Sequence, residues 1–218
     1  MQGQVHPDTS FGKYLTTLGR NTLYNTFLDI GTWNGLGTTL CLVNALNNRP
    51  NAKIYSIEAN KSLHEIALKN WPSTPNNLEL IWGTLSHKIL SEEEIKANPL
   101  FPNIQEHFNI HYKQDVHDSV NAPIATLPSV IDVVIMDGGE FCGEADLAAV
   151  ELLNPLIICM CDTNVIKNSA NLKKLLDDKR YVCLQNNTDS KNGWAVFSKV
   201  YLINNKNDRN SWTFLKRN

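Results

Sequence analysis

The amino-acid sequence predicts a three-layer α/β architecture: a doubly wound, mainly parallel sheet with helices on both faces and an antiparallel strand closing its C-terminal end. Short apolar runs alternate with helical stretches of about ten residues, the pattern of crossover units whose strands are buried on both faces. The last two apolar runs, RYVCLQ and GWAVFSKVYL, have only the turn residues NNTDSKNG between them and should pair antiparallel at a sheet edge. With 218 residues, 42% hydrophobic and 19% charged, the chain is long and apolar enough for one buried core. Residues 1–218 are therefore expected to form a single domain.

The elements follow in order. An N-terminal segment over 1–25 contains a helix from Phe11 to Tyr24, with Tyr14, Leu15, Leu18 and Leu23 at helical spacing. TFLDI at 26–30 is the first strand, and GTTLCLVNALN at 37–47 reads as a mostly buried helix. KIYSIE at 53–58 is the second strand, followed by a helix over KSLHEIALKNW that stops at Trp71-Pro72. LELIWG at 78–83 gives the third strand. Between residues 86 and 127 the periodicity weakens: SEEEIKAN reads as a short capped, solvated helix, and the remainder as an irregular insertion of aromatics, histidines and prolines. That stretch exceeds an ordinary crossover and is long enough for a lid or an acceptor pocket. VIDVVIMD at 130–137 is a buried strand, EADLAAVELL a helix, LIICMCD at 156–162 a strand and NLKKLLDD a helix. Residues 204–218 are a polar tail with isolated Trp212 and Phe214.

Composition removes several classes of function. Twenty basic residues against 22 acidic ones give a net charge of −2, so no nucleic-acid partner is expected. No apolar run approaches the roughly 20 residues of a membrane helix, and the start MQGQVHPDTS has no signal-peptide core. A cytoplasmic protein without membrane partners is the expectation. The five cysteines form no CxxC pair, which suits buried free thiols better than a disulfide framework or a zinc cage.

The most informative segment is FLDIGTWNGLGTT at 27–39, which places Asp29, Gly31, Gly35 and Gly37 between the first strand and a helix N-terminus. Glycines there allow positive φ and close approach of a ligand to the main chain. In a doubly wound sheet this turn is where a nucleotide-like ligand binds. A dinucleotide would call for a third glycine, which Gly35-Leu36-Gly37-Thr38-Thr39-Leu40 lacks, and no GKS or GKT follows for a triphosphate. Asp29 suits a ligand with a cationic amino-acid end. Glu58 ends the second strand, one strand–helix–strand unit later, where a carboxylate accepts from both ribose hydroxyls.

These motifs resemble the class I S-adenosylmethionine-dependent methyltransferases, and among them the small enzymes grouped as methyltransferase-24-like. The likeness runs from about Phe11 to Lys199 and includes the turn at 29–37, YSIEAN, LIWGTL, IDVVIMDGGEF, CDTNVIKN and NGWAVF. It implies a Rossmann-like seven-stranded sheet with its last strand antiparallel, S-adenosyl-L-methionine as cofactor, and a small-molecule or sugar hydroxyl as acceptor. It also implies roles for residues. Gly31, Thr32, Gly35 and Gly37 would surround the methionine portion, and Glu58 would hold the ribose. Ala59, Gly83 and Thr84 would lie near the adenosine, and Trp33 and Asn34 would cover the cofactor or face substrate.

Asp137 and Gly138 follow the most apolar strand and point into the same crevice. Asp137 is expected to position an ammonium and Glu140 to act as general base; the alternative is that Asp137 caps the next helix. In catechol-type O-methyltransferases such an acid joins an Asp-Asn pair in holding a divalent metal. Here Asp137, Asp162 and Asn164 mimic that set and would suit Mg²⁺, but Thr163 splits the pair, so no metal is the main expectation. His107, His111 and His117 are weaker candidates for the base, and His64 reads as a surface residue. A non-catalytic cofactor-binding scaffold and an NAD-dependent oxidoreductase are the alternatives, and a homo-oligomer is compatible with the sequence.

Overall fold

The computed structural model describes residues 5–190 and 192–200. The polar tail at 204–218, with Trp212 and Phe214, lies outside them, as do residues 1–4 of the N-terminal segment and the end of the GWAVFSKVYL run.

Seven strands form one sheet in the order β3-β2-β1-β4-β5-β7-β6. β1 (Thr26–Ile30), β2 (Lys53–Glu58), β3 (Leu78–Trp82), β4 (Val133–Met136) and β5 (Ile157–Cys161) run parallel. β7 (Trp194–Lys199) inserts antiparallel between β5 and β6 (Tyr181–Asn187). The strand order reverses at β1, which pairs with β2 on one side and β4 on the other. The crevice at that reversal is where open α/β sheets take their ligands.

Successive strand residues point to opposite faces, so each strand feeds two cores. Phe27, Ile54, Val133 and Ile135 pack with Leu15 of α1 (Ser10–Arg20) and Leu42 and Leu46 of α2 (Thr38–Leu46). Leu28, Ile57, Val134 and Met160 pack on the other face with Leu147 and Val150 of α6 (Gly143–Leu153) and Leu175 of α7 (Ser169–Asp177). Helices on both faces complete the three-layer Rossmann-like architecture that the sequence predicts.

Helix ends obey local chemistry. The Thr9 hydroxyl caps α1 by accepting the Gly12 N–H at 3.1 Å, and Asn60 caps α3 (Lys61–Asn70) by accepting the Leu63 N–H at 3.0 Å. α1 ends at Arg20, four residues short of the expected Tyr24, where the Asn21 N–H returns to the Leu18 carbonyl. α4 (Glu92–Ala97) carries a full capping box from Ser91 and Glu94.

The largest departure from expectation lies in residues 86–127. The stretch read as irregular contains α5 (Phe101–Asn121), a helix of 21 residues. Pro102 sits at its start, where a missing N–H costs nothing. Ile104 and Phe108 join Ile95, Phe141 and Ile166 in a third core cluster off the sheet. Among the described residues, no helix is long and apolar enough to cross a membrane.

Candidate functional site

The turn after β1 is held from below and from the side. The Gly31 and Thr32 N–H groups both donate to the Ile57 carbonyl, at 2.9 and 3.0 Å. Gly31 has φ +95, and a Cβ there would lie 2.2 Å from the Asp137 carbonyl oxygen, so glycine is dictated by conformation and space together. Trp33 adopts φ 51, a left-handed geometry that a bulky residue rarely takes. Its N–H is fixed by the Glu58 carboxylate at 2.6 Å, while the other Glu58 oxygen accepts the Asn60 N–H at 2.9 Å.

Gly35, also at positive φ, plays a different part from the one its motif position suggests. A Cβ there would meet the Trp71 indole nitrogen at 2.6 Å, and that indole donates to the Gly35 carbonyl at 3.0 Å. The space beside Gly35 is filled by protein. Asn34 is likewise engaged within the turn: its side-chain oxygen accepts the Leu36 N–H and its carbonyl accepts from Asn70.

Asp29 is fully buried beneath the turn. One carboxylate oxygen accepts from Thr39 at 2.6 Å and Ser56 at 3.0 Å, and the other has no hydrogen-bond partner among the described residues. Burial pushes its pKa up, and the surrounding hydroxyls pull against that.

A cavity of about 570 Å³ opens at the carboxyl ends of the strands, within the roughly 300–1,000 Å³ range of small-molecule sites. From the first turn it is lined by Gly31, Thr32, Trp33 and Gly37; from β2 and β3 by Glu58, Ala59, Gly83 and Thr84; from β4 by Asp137 and Gly138. Asp29, Asn34 and Gly35 stand behind this wall. A second cavity of about 500 Å³ shares Asp162 and Lys167 with the first and adds Asn103, His107, Glu140 and Asn192. Helix α5 contributes His111 and Asp115 to both. His117, by contrast, is exposed and lines neither, and His64 is half-buried on α3.

The electrostatics of the first cavity are one-sided. Among the described residues it is lined by six carboxylates (Glu58, Asp115, Asp118, Asp137, Asp146 and Asp162) and one ammonium, Lys167. Burial pushes Glu58 up to about 7, against the pull of the Asn60 and Trp33 N–H groups. Burial likewise pushes Asp115 and Asp146 up to about 6. Asp137 also rises to about 6 through burial, with Lys167 opposing, and Glu140 is raised for the same reason.

Asp137 does not cap a helix. α6 begins at Gly143 after Cys142, with no side-chain cap, and Asp137 instead accepts from Lys167 Nζ at 3.2 Å. Lys167 also donates to Asp162 at 2.6 Å, and Asn192 donates to the other Asp162 oxygen at 2.9 Å. Burial disfavours the Lys167 charge, but Asp137, Asp162 and Glu140 outweigh it and hold the ammonium protonated.

Ligand atoms of Asp137, Cys161 and Asp162 lie within 4.8 Å of one another, close enough to hold a cation. The residues present nevertheless do not fit a divalent metal. Lys167 bridges the two carboxylates, and the third expected ligand, Asn164, turns its amide to the Thr188 carbonyl at 3.2 Å. Asp162 is held at φ 56, a left-handed geometry, and Thr163 stands between it and Asn164.

Sequence reasoning passed over Lys167, Asp115, Asp146 and Cys142, all of which line the first cavity. Lys167 lies within the CDTNVIKN segment, five residues beyond Asp162. His107, His111 and Asp115 follow at four-residue intervals, a polar stripe on one helical face that was available as a signal.

No family model matches the sequence, and no curated protein matches it. Solved structures do match the fold. A methyltransferase from Geobacter sulfurreducens aligns with TM-score 0.57 and 13% identity over 90% of this chain and 80% of its own. An O-methyltransferase from Bacillus cereus in complex with S-adenosylhomocysteine aligns with TM-score 0.56 and 15% identity over 88% and 82%. The O-methyltransferase TomG from Streptomyces achromogenes, in complex with S-adenosylmethionine, gives TM-score 0.55 and 15% identity over 87% and 79%. At these identities the likeness is one of fold: the chain has the class I S-adenosylmethionine-dependent methyltransferase fold.

Proposed function

We propose that this protein is an S-adenosylmethionine-dependent methyltransferase of the small methyltransferase-24-like type, acting on a hydroxyl oxygen of a small polar molecule such as a sugar. The observation that carries this reading is the acidic cavity at the strand-order reversal, with the Gly31 turn on one wall and Glu58 on another. Six carboxylates against one ammonium suit a cationic nucleoside and repel the pyrophosphate of a dinucleotide. The missing third glycine argues the same way.

In this reading Gly31, Thr32 and Gly37 bring main chain against the methionine portion, while Asp29 stiffens the turn from beneath. Glu58 accepts from the ribose with the lone pairs that the Trp33 and Asn60 N–H groups leave free. Ala59, Gly83 and Thr84 flank the adenosine. S-adenosylmethionine supplies an already activated methyl group, so the protein's work is alignment and exclusion of water. Asp137 lines the first cavity and Gly138 both, and Glu140 on the second takes the acceptor's hydroxyl proton. The acceptor oxygen gains the methyl, and the electron pair of the broken S–C bond stays on sulfur. Asn103, His107, Asn192 and Glu140 give that second cavity a hydrogen-bonding wall suited to a hydroxyl-rich acceptor.

Calorimetric titration with S-adenosylhomocysteine and with NAD, side by side, tests the reading. Heat with S-adenosylhomocysteine alone is expected. Heat with NAD alone would replace the reading by a redox one, and S-adenosylhomocysteine release with monosaccharide acceptors would extend it to turnover.

A further inference from the structure

The boundary between the two cavities depends on Lys167. It follows β5 by six residues, is 8% exposed, and lines both cavities. Its ammonium bridges Asp137 and Asp162 at 3.2 and 2.6 Å. Both Asp162 oxygens thus face N–H donors, one from Lys167 and one from Asn192. A divalent ion seated on these carboxylates would have to displace Lys167 or sit beside it. A divalent ion and an ammonium about 4 Å apart repel strongly even at an effective dielectric constant of about 20. Displacement would instead leave the ammonium buried without those carboxylates, which is itself unfavourable.

We propose that Lys167 is the resident cation of this site, holding Asp137 and Asp162 together in place of a divalent metal. An oxygen entering the second cavity then meets an ammonium N–H at that position. Two of the three Lys167 N–H groups serve the carboxylates, and among the described residues the third is left for such an oxygen. The cation claim stands on these distances alone; the identity of the incoming oxygen as a methyl acceptor rests on the reading above.

Manganese titration of the full-length protein, followed by the electron paramagnetic resonance signal of free Mn²⁺, tests the proposal without any acceptor. The wild type should bind no Mn²⁺ at this site. Lys167→Gln and Lys167→Ala should bind it at least about tenfold more tightly than the wild type, because two carboxylates are left facing an empty cation position. The double variant Asp162→Asn/Lys167→Gln should lose that gain. Wild-type protein that holds Mn²⁺ as tightly as Lys167→Gln would overturn the proposal. So would a Lys167 variant that keeps its S-adenosylhomocysteine heat yet gains no manganese affinity. Should both Lys167 variants fail to fold, the wild-type titration decides alone: tight binding lost in Asp162→Asn overturns the proposal, and silence upholds it. Absence of S-adenosylhomocysteine heat would count against methyl transfer, while the manganese comparison, which needs no cofactor, still decides the cation claim.

Discussion

Glu58 performs two tasks with one carboxylate: it pins the Trp33 and Asn60 main chain and forms part of the cavity wall. Replacing it with alanine should weaken S-adenosylhomocysteine binding by ~1–3 kcal/mol, the range for removing a buried acceptor. Titration gives a sharper test. Burial raises the Glu58 pKa from 4.5 to about 7 in the folded protein, so folding favours the protonated form. That contribution to stability is complete below about pH 4.5 and is lost as pH rises through 7. Glu58→Gln stays neutral throughout but loses one of the two acceptors, so its stability relative to the wild type should be lowest near pH 4 and should rise by up to about 3 kcal/mol by pH 8. Ribose hydroxyls favour the ionised, acceptor-only form, so wild-type affinity should rise from pH 6 to 8 and that rise should vanish in Glu58→Gln. A pH-independent wild-type affinity would place the ribose elsewhere. The glycines divide by the same kind of local accounting. Gly31→Ala forces a Cβ against the Asp137 carbonyl at positive φ and should lower the thermal midpoint sharply. Among the described residues a Cβ at Gly37 meets only the Val5 carbonyl oxygen, at 3.4 Å, so Gly37→Ala should keep its midpoint and lose affinity by intruding on the cavity. Thermal melts and titrations on the pair check both. Gly35→Val, which the motif alone would assign to cofactor binding, is expected to damage folding through Trp71.

At the scale of elements, α5 shows where a sequence stops being legible and why. The sheet was readable because its strands are buried on both faces, as in VVIM of β4 and IICMC of β5, which leaves apolar runs with few readings. The glycine turn was readable because its backbone admits few residue types. α5 buries only Ile104, Phe108 and Ser119 along 21 residues, so its apolar face is too thin to show a period, and most of the residues it turns to the cavities are polar. Lys167 escaped for a related reason: its partners come from the ends of two strands, and no local spacing encodes that meeting. What attaches α5 is the third cluster, centred on the fully buried Phe141, whose ring lies 5.9 Å from Phe108, 5.5 Å from Tyr112 and 6.2 Å from His107. Its carbonyl also accepts the Leu90 N–H, tying the segment before α4 to the same point. Phe141→Ala should therefore cost ~3–5 kcal/mol locally, loosening α5 while β1 and β4 stay intact. Hydrogen exchange would show faster amide exchange confined to 101–121. Uniform loss of protection would mean that this cluster and the sheet form one cooperative unit.

Across the whole molecule the charge distribution is lopsided in a way the net charge of −2 conceals. Six acids converge on one cavity, and Glu58, Asp115, Asp137 and Asp146 are all pushed up to about 6 or 7 by burial. As pH rises through that range the empty cavity gains negative charge that the unfolded chain already carried from about pH 4, so the ligand-free protein should melt lower at pH 8 than at pH 5. A bound cation offsets this charge. S-adenosylmethionine carries a sulfonium and S-adenosylhomocysteine a neutral thioether, so the two differ by one positive charge. The preference for S-adenosylmethionine over S-adenosylhomocysteine should grow between pH 5.5 and 8 by a few-fold, or roughly 1 kcal/mol for one charge in a partly solvated site. Methyl transfer would then remove the charge that the acids favour, and the spent nucleoside would leave more readily than its precursor at the pH where the acids are ionised. Calorimetry of both ligands across the pH range measures the ratio directly. A ratio that stays flat would show that the cavity acids keep their protons, or shed them, independently of what is bound, and that product release owes nothing to this field.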